Sequence, residues 1–240
     1  MPGEAWPGTR LYLVMACLGG LLAAVGFSKR YFLPLAAGTS DLPAIVHIHG
    51  IITFSWVILV ILQAALVAAR RTALHRSLGM AGIALATLLV FTATQVAILQ
   101  LARELKVGGP APREFVALLL ILPLLVTGLF GAAIAAVHRP EVHKRLVLVA
   151  SFVVLAPALA RIIQLLDPSL TRLARNDLSL VASDALILIA LGWDARARGR
   201  PHPAYLIAGG CVLVVQTAML LLRSTQAWHA ATTWLASLAA

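Results

Sequence analysis

The run that decides the fold is AIVHIHGIITFSWVILVILQAALVAA, residues 44–69, which contains no Lys, Arg, Asp or Glu. As a helix rising 1.5 Å per residue it would be ~39 Å long, enough to cross the roughly 30 Å hydrocarbon core of a bilayer. Two imidazoles, His47 and His49, lie inside it. An ionisable side chain in hydrocarbon is costly without a partner, so His49 marks a candidate site. Steps of three and four from His49 reach Thr53, Trp56, Val60 and Gln63, so most polar residues of the run share one helical face. That face is expected to point into a bundle. His47 lies about 200° around the helix from His49 and reads as an interfacial residue at the outer helix start. For His49 two readings stand: an interhelical hydrogen bond to a Gln or Thr, or a ligand or proton-transfer group.

Six further apolar runs flank this one, at about 11–35, 79–102, 114–137, 145–166, 178–195 and 203–223. The breaks carry stop signals: Arg70-Arg71, Gly108-Gly109-Pro110, Arg139-Pro140, Asp167-Pro168 and Pro201-His202-Pro203. The expected architecture is an all-α, seven-helix transmembrane bundle, a single integral membrane domain over residues 1–240. Composition agrees, since 61% hydrophobic residues, 12% charged residues and a mean hydropathy of +0.94 exceed what a soluble core requires. The first run, with small residues at Ala23-Ala24-Val25-Gly26, imitates a signal peptide. It reads as a span because only Arg10 precedes it as a basic residue and no polar mature domain follows.

A net charge of +10 would suit nucleic acid, but the basic residues fall between apolar runs and form no basic face. The expected partner is the lipid bilayer, with no nucleic acid. Arg10, Arg70, Arg71, Arg76, Arg139, Lys144, Arg145, Arg196, Arg198 and Arg200 fall on one side, while Asp41, Glu104, Glu114, Asp167 and Asp177 fall on the other. The positive-inside rule then puts the N-terminus in the cytoplasm of a multi-pass protein of the bacterial inner membrane. Cys17 and Cys211 lie in apolar runs without a C-x-x-C spacing and read as core residues. The tail from Thr225, with Trp228 and Trp234, either extends the last helix or lies in the outer interface.

Depth matching supplies His49 with company in the outer half. Gln95, Arg161, Asp184 and Gln216 occupy similar levels on other helices, and with Trp56 and Gln63 they would line a polar pocket for a polar headgroup, a quinone ring, another small molecule or a metal. The alternative for Arg161 and Asp184 is a buried ion pair that fixes helix packing, because either charge alone is costly. At the basic side His75, His138 and His143 form a candidate set for haem b or a transition metal, imidazole being a common metal ligand. His138 and His143 stand five apart across Pro140, which is not the i, i+4 spacing of two ligands on one helical face. Hydrogen bonding to helix ends and lipid phosphate is the plainer role for each of these histidines.

There is no Walker loop, G-x-S-x-G elbow, H-E-x-x-H or dinucleotide fingerprint, and no Lys in the seventh run for a retinal Schiff base. The signature His47-x-His49-Gly50, Trp56, Gln63, Arg70 and His75-Arg76-x-Leu78-Gly79 resembles a group of uncharacterised bacterial multi-pass membrane proteins. The run His138-Arg139-Pro140 with His143-Lys144-Arg145 looks like that group's second signature. The chain is also distantly similar to cytochrome b561-type electron carriers, whose paired histidines on separate helices hold haems. That resemblance implies a haem between His75 and either His138 or His143. Those proteins place their ligands well within helices in matched pairs, whereas here only His49 is clearly inside a run.

Three functional classes follow. The leading one is a redox- or metal-associated membrane protein using His75, His138 and His143, with a small-molecule pocket at His49. The second is a small-solute transporter using His49, Arg161 and Asp184. The third is a structural or assembly subunit with a partner in a larger membrane complex.

Overall fold

A computed structural model describes residues 9–107 and 112–238, and all regular structure in them is helical. The Gly108-Gly109-Pro110 break lies outside the described residues. The first span, Arg10–Ala36, comprises α1 (Thr9–Phe27), a π-helical turn (Ser28–Phe32) and α2 (Leu33–Ala36). Pro34 has no N–H for the carbonyl of Arg30, and the wider bonding of the π turn, in which the Leu33 N–H reaches Ser28 O, accommodates it.

The chain continues as α3 (Ala44–Ala68), α4 (Thr72–Val107), α5 (Pro112–Ala135), α6 (Pro140–Val154), α7 (Ala156–Leu166), α8 (Arg172–Arg198), α9 (Pro203–Leu222) and α10 (Gln226–Ser237). Six segments among the described residues are long and apolar enough to cross a membrane alone. The pair α6 and α7, bent by 44°, makes a seventh when taken together as one span. Pro157, just past the bend, cannot donate to the carbonyl of Val153 and its ring crowds it.

The structure lengthens several spans beyond their apolar runs, α4 and α8 most of all. α4 begins at Thr72 rather than near residue 79, because residues 72–78 are too polar to register as hydrocarbon yet include good helix formers. His75 therefore stands within the helix, its N–H bonded to Arg71 O at 3.0 Å. α8 likewise starts at Arg172, capped by the Thr171 side chain, and ends at Arg198, followed by Gly199, whose φ of 76° suits glycine. The tail is a separate helix, α10, capped by Thr225. It packs across α4 and α5, where Trp228 Nε1 donates to Arg113 O at 2.7 Å.

Helices α1, α3, α4, α5 and α6 close a ring, each packed on the next and α6 returning to α1. α7, α8 and α9 complete the bundle, with α7 bridging α1 to α8 and α9 lying on α5, α6 and α8. The most enclosed element is α6, where Arg145, Leu146, Leu148, Val149, Ala150, Phe152 and Val153 are all buried. The outward faces are aliphatic: Ile51, Ile58, Met80, Leu124, Val181, Val214 and Leu221 are each between 64% and 72% exposed. Side chains of this kind, spread over five helices, require lipid rather than water around them.

Candidate functional site

At the basic end of the ring, α4 and α6 both pack on α5 and bring two imidazoles together. The rings of His75 and His143 stand with centroids 6.5 Å apart and planes at 87°. His143 Nδ1 is 2.8 Å from Ala133 O, so that nitrogen carries the proton and the other is left free of it in the neutral ring. Gln63, on α3, donates through Nε2 to His75 O at 3.1 Å. Its Oε1 and the Nδ1 of His75 are both buried with no hydrogen-bond partner. Two orphaned polar atoms beside two neighbouring imidazoles are costly unless something further binds there. His138 is exposed in the turn between α5 and α6 and makes no hydrogen bond among the described residues. The three candidate histidines therefore do not converge; two of them do. Among the described residues no group of three His, Cys, Asp or Glu side chains could hold a metal.

Beside this pair runs an ionic network that sequence reading missed. Arg145, 1% exposed, donates to both oxygens of Asp194 on α8, Nε to Oδ2 at 3.1 Å, and through Nη1 to Glu141 Oε2 at 2.7 Å. Lys144 bonds Glu141 at 2.7 Å and lies 5.0 Å over the Tyr12 ring, while Arg145 lies 5.8 Å from the Tyr205 ring. From sequence Arg145 reads as a topology charge and as part of the second signature, not as a member of a buried ion pair. The available signal was Asp194 itself, an acid inside a strongly basic end.

At the opposite end His49 Nδ1 meets Thr92 Oγ1 at 3.0 Å across the α3–α4 interface, and its Nε2 lies 3.4 Å from Thr53 Oγ1. His47 is not merely interfacial. It contacts Tyr31 in the π turn, Nδ1 to hydroxyl at 3.4 Å, with ring centroids 5.7 Å apart. α3 lies between α1 and α4, so side chains about 200° apart meet different neighbours and both are half-buried. Gly50 permits this approach, because a Cβ there would lie 2.8 Å from the Tyr31 hydroxyl.

The remaining candidates disperse. Trp56 is buried at mid-depth, edge-on to Phe130 at 4.9 Å, beside a cavity of only about 30 Å³ lined by Gly19, Gly20, Val60, Ser151 and Phe152. Gln63 shares a face with His49 but lies at the other end, against His75. Gln95 is exposed and its side chain makes no hydrogen bond among the described residues. Asp184 accepts from Gln216 Nε2 at 3.1 Å, joining α8 to α9. Arg161 instead bonds Pro157 O at 2.7 Å and stacks 4.3 Å from the Phe27 ring. An Arg161–Asp184 ion pair is thus not formed, because the two residues serve different interfaces.

Fold and surface together define an integral membrane protein with a polytopic helical bundle. Comparison with family models, curated proteins and solved structures finds no match.

Proposed function

We propose that this is a redox-associated protein of the bacterial cytoplasmic membrane, its basic end inside, and that His75 and His143 hold a haem b. The observation that supports this reading is the meeting of the two rings at 6.5 Å with the buried Nδ1 of His75 unpartnered. The donor set suits haem better than a bare ion. Two imidazoles leave a tetrahedral zinc short of ligands, whereas haem iron takes four nitrogens from its own macrocycle.

The chain's own groups have definite tasks in this reading. Ala133 O fixes the tautomer and orientation of His143, as a carbonyl commonly does for a metal-bound imidazole. Gln63 holds the backbone of His75 through Nε2, and its acceptor Oε1 is buried without a protein donor. The Arg145–Asp194–Glu141 network anchors the start of α6, and with it His143, against α8. A bound haem would supply one-electron exchange. The test is a reduced-minus-oxidised difference spectrum of membranes from an overexpressing host supplied with haem precursor. Absorbance bands that scale with the protein and disappear in His143→Ala support the proposal, and their absence from the wild type contradicts it.

A further inference from the structure

Three arginines gather near the opposite end of the bundle without a carboxylate. Arg30 lies in the π turn of the first span, Arg161 on α7 and Arg175 on α8. The Gln164 amide, turned with its oxygen toward them, accepts from Arg30 Nη2 at 2.7 Å and from Arg175 Nη1 at 2.9 Å. One neutral oxygen thus holds two guanidinium groups together. Arg161, one turn before Gln164, feels the charge of Arg30, as Arg175 does. Among the described residues none of the three forms a salt bridge.

Three acids of this end are engaged elsewhere, and Asp41, exposed in the loop after α2, forms no salt bridge with the three arginines. Glu104 pairs with Arg172, Asp177 with Arg223, and Asp167 bonds the backbone and side chain of Ser169. Guanidinium groups do not escape repulsion by losing a proton, and each carries five N–H donors. Gln164 and Pro157 O together satisfy only a few of these. The Phe27 ring, 4.3 Å from Arg161, holds that guanidinium in place without neutralising it.

Depth narrows the chemistry. Arg161 lies five residues before the end of α7, ~7.5 Å along the helix, and Arg175 lies three residues into α8, ~4.5 Å. Both are therefore close to the level where the hydrocarbon core gives way to phosphate headgroups. Guanidinium forks match the paired oxygens of a phosphate and bond it in two-pronged fashion.

We propose that Arg30, Arg161 and Arg175, with Gln164, form a binding site for a phosphate-type oxyanion. It stands at the opposite end of the spans from the His75–His143 pair and does not depend on that site's role. An anionic lipid headgroup and a soluble phosphate share this chemistry.

The test uses the full-length protein, purified in detergent and stripped of lipid. Thermal unfolding midpoints are followed against inorganic phosphate, phosphatidylglycerol micelles, net-neutral phosphatidylcholine micelles and sodium chloride of matched ionic strength. Wild type, Arg161→Gln and the double variant Arg30→Gln/Arg175→Gln are compared. A saturable rise with phosphatidylglycerol alone identifies a lipid headgroup, and one with inorganic phosphate identifies a soluble ligand. In either case the double variant should bind roughly tenfold or more weakly. Should Arg161→Gln fail to fold, the double variant decides, because its residues are exposed or half-buried. A midpoint no higher than in the chloride and phosphatidylcholine controls, or an equal rise in wild type and double variant, overturns the proposal.

Discussion

Arg145 on α6 and Asp194 on α8, 49 residues apart in sequence, form a buried two-pronged ion pair at the basic end of the bundle. Removing one partner of such a pair strands the other charge, at a cost of about 3–5 kcal/mol. Asp194→Ala should therefore lower the thermal midpoint sharply in detergent. Glu141, half-open to solvent, should matter far less, with Glu141→Gln costing about 0–1 kcal/mol. Equal losses for the two variants would place the main anchor of Arg145 elsewhere.

Close backbone contact between α1 and α7 depends on Gly26. A Cβ there would stand 2.5 Å from Ala158 O and 2.9 Å from Ala158 Cα, and backbone cannot swing aside. Gly26→Ala should destabilise by about 1–3 kcal/mol. Gly128→Ala meets nothing within 4 Å and should be neutral, or stabilising by up to about 1 kcal/mol. Thermal unfolding of the two variants side by side checks the contrast.

The hydrogen bond between His49 and Thr92 joins α3 to α4. Thr92→Val keeps the shape and removes the hydroxyl, so His49 Nδ1 loses its partner. The expected loss is about 0.6 kcal/mol, the average for interhelical side-chain bonds in a membrane bundle, and no more than about 1.7 kcal/mol. Thr92→Ser should recover most of it, and a Ser variant as unstable as Val would show that the methyl group, not the hydroxyl, matters.

His202 caps α9 by accepting the Ala204 N–H at 3.0 Å through Nδ1, which requires that nitrogen unprotonated. Burial, then the charges of Arg145 and Arg198, hold its pKa below the usual 6.5, against the pull of Asp194 and Glu141. The unfolded chain therefore takes up the proton first as pH falls. This stabilisation is full above about pH 6.5 and is lost as pH drops through the folded value. The thermal midpoint should decline in that window, and His202→Asn, which keeps an acceptor at the cap, should flatten the decline.

The spans were legible because an apolar run of about 20 residues has few other uses. Their ends were not, since residues 72–78 are polar enough to look like loop yet continue α4 past the apolar run. Helical phase correctly separated His47 from His49 but did not reveal that α3 has packed neighbours on both flanks. Depth was the harder variable. His49 and Gln63 share a face, yet 14 residues separate them by ~21 Å, enough to put them at opposite ends. Pairings between distant helices, such as Arg145 with Asp194 or Asp184 with Gln216, depend on which helices touch, and no single sequence states that.

The meeting of His75 and His143 is best tested by the absorption spectrum of the purified protein, with metal and haem content per chain. The expectation is a Soret band with about one haem iron per chain, lost in His75→Ala and in His143→Ala and retained in His138→Ala. Wild-type protein, purified from cells supplied with haem precursor, that shows no Soret band and no stoichiometric iron would contradict it, as would haem that survives loss of both His75 and His143.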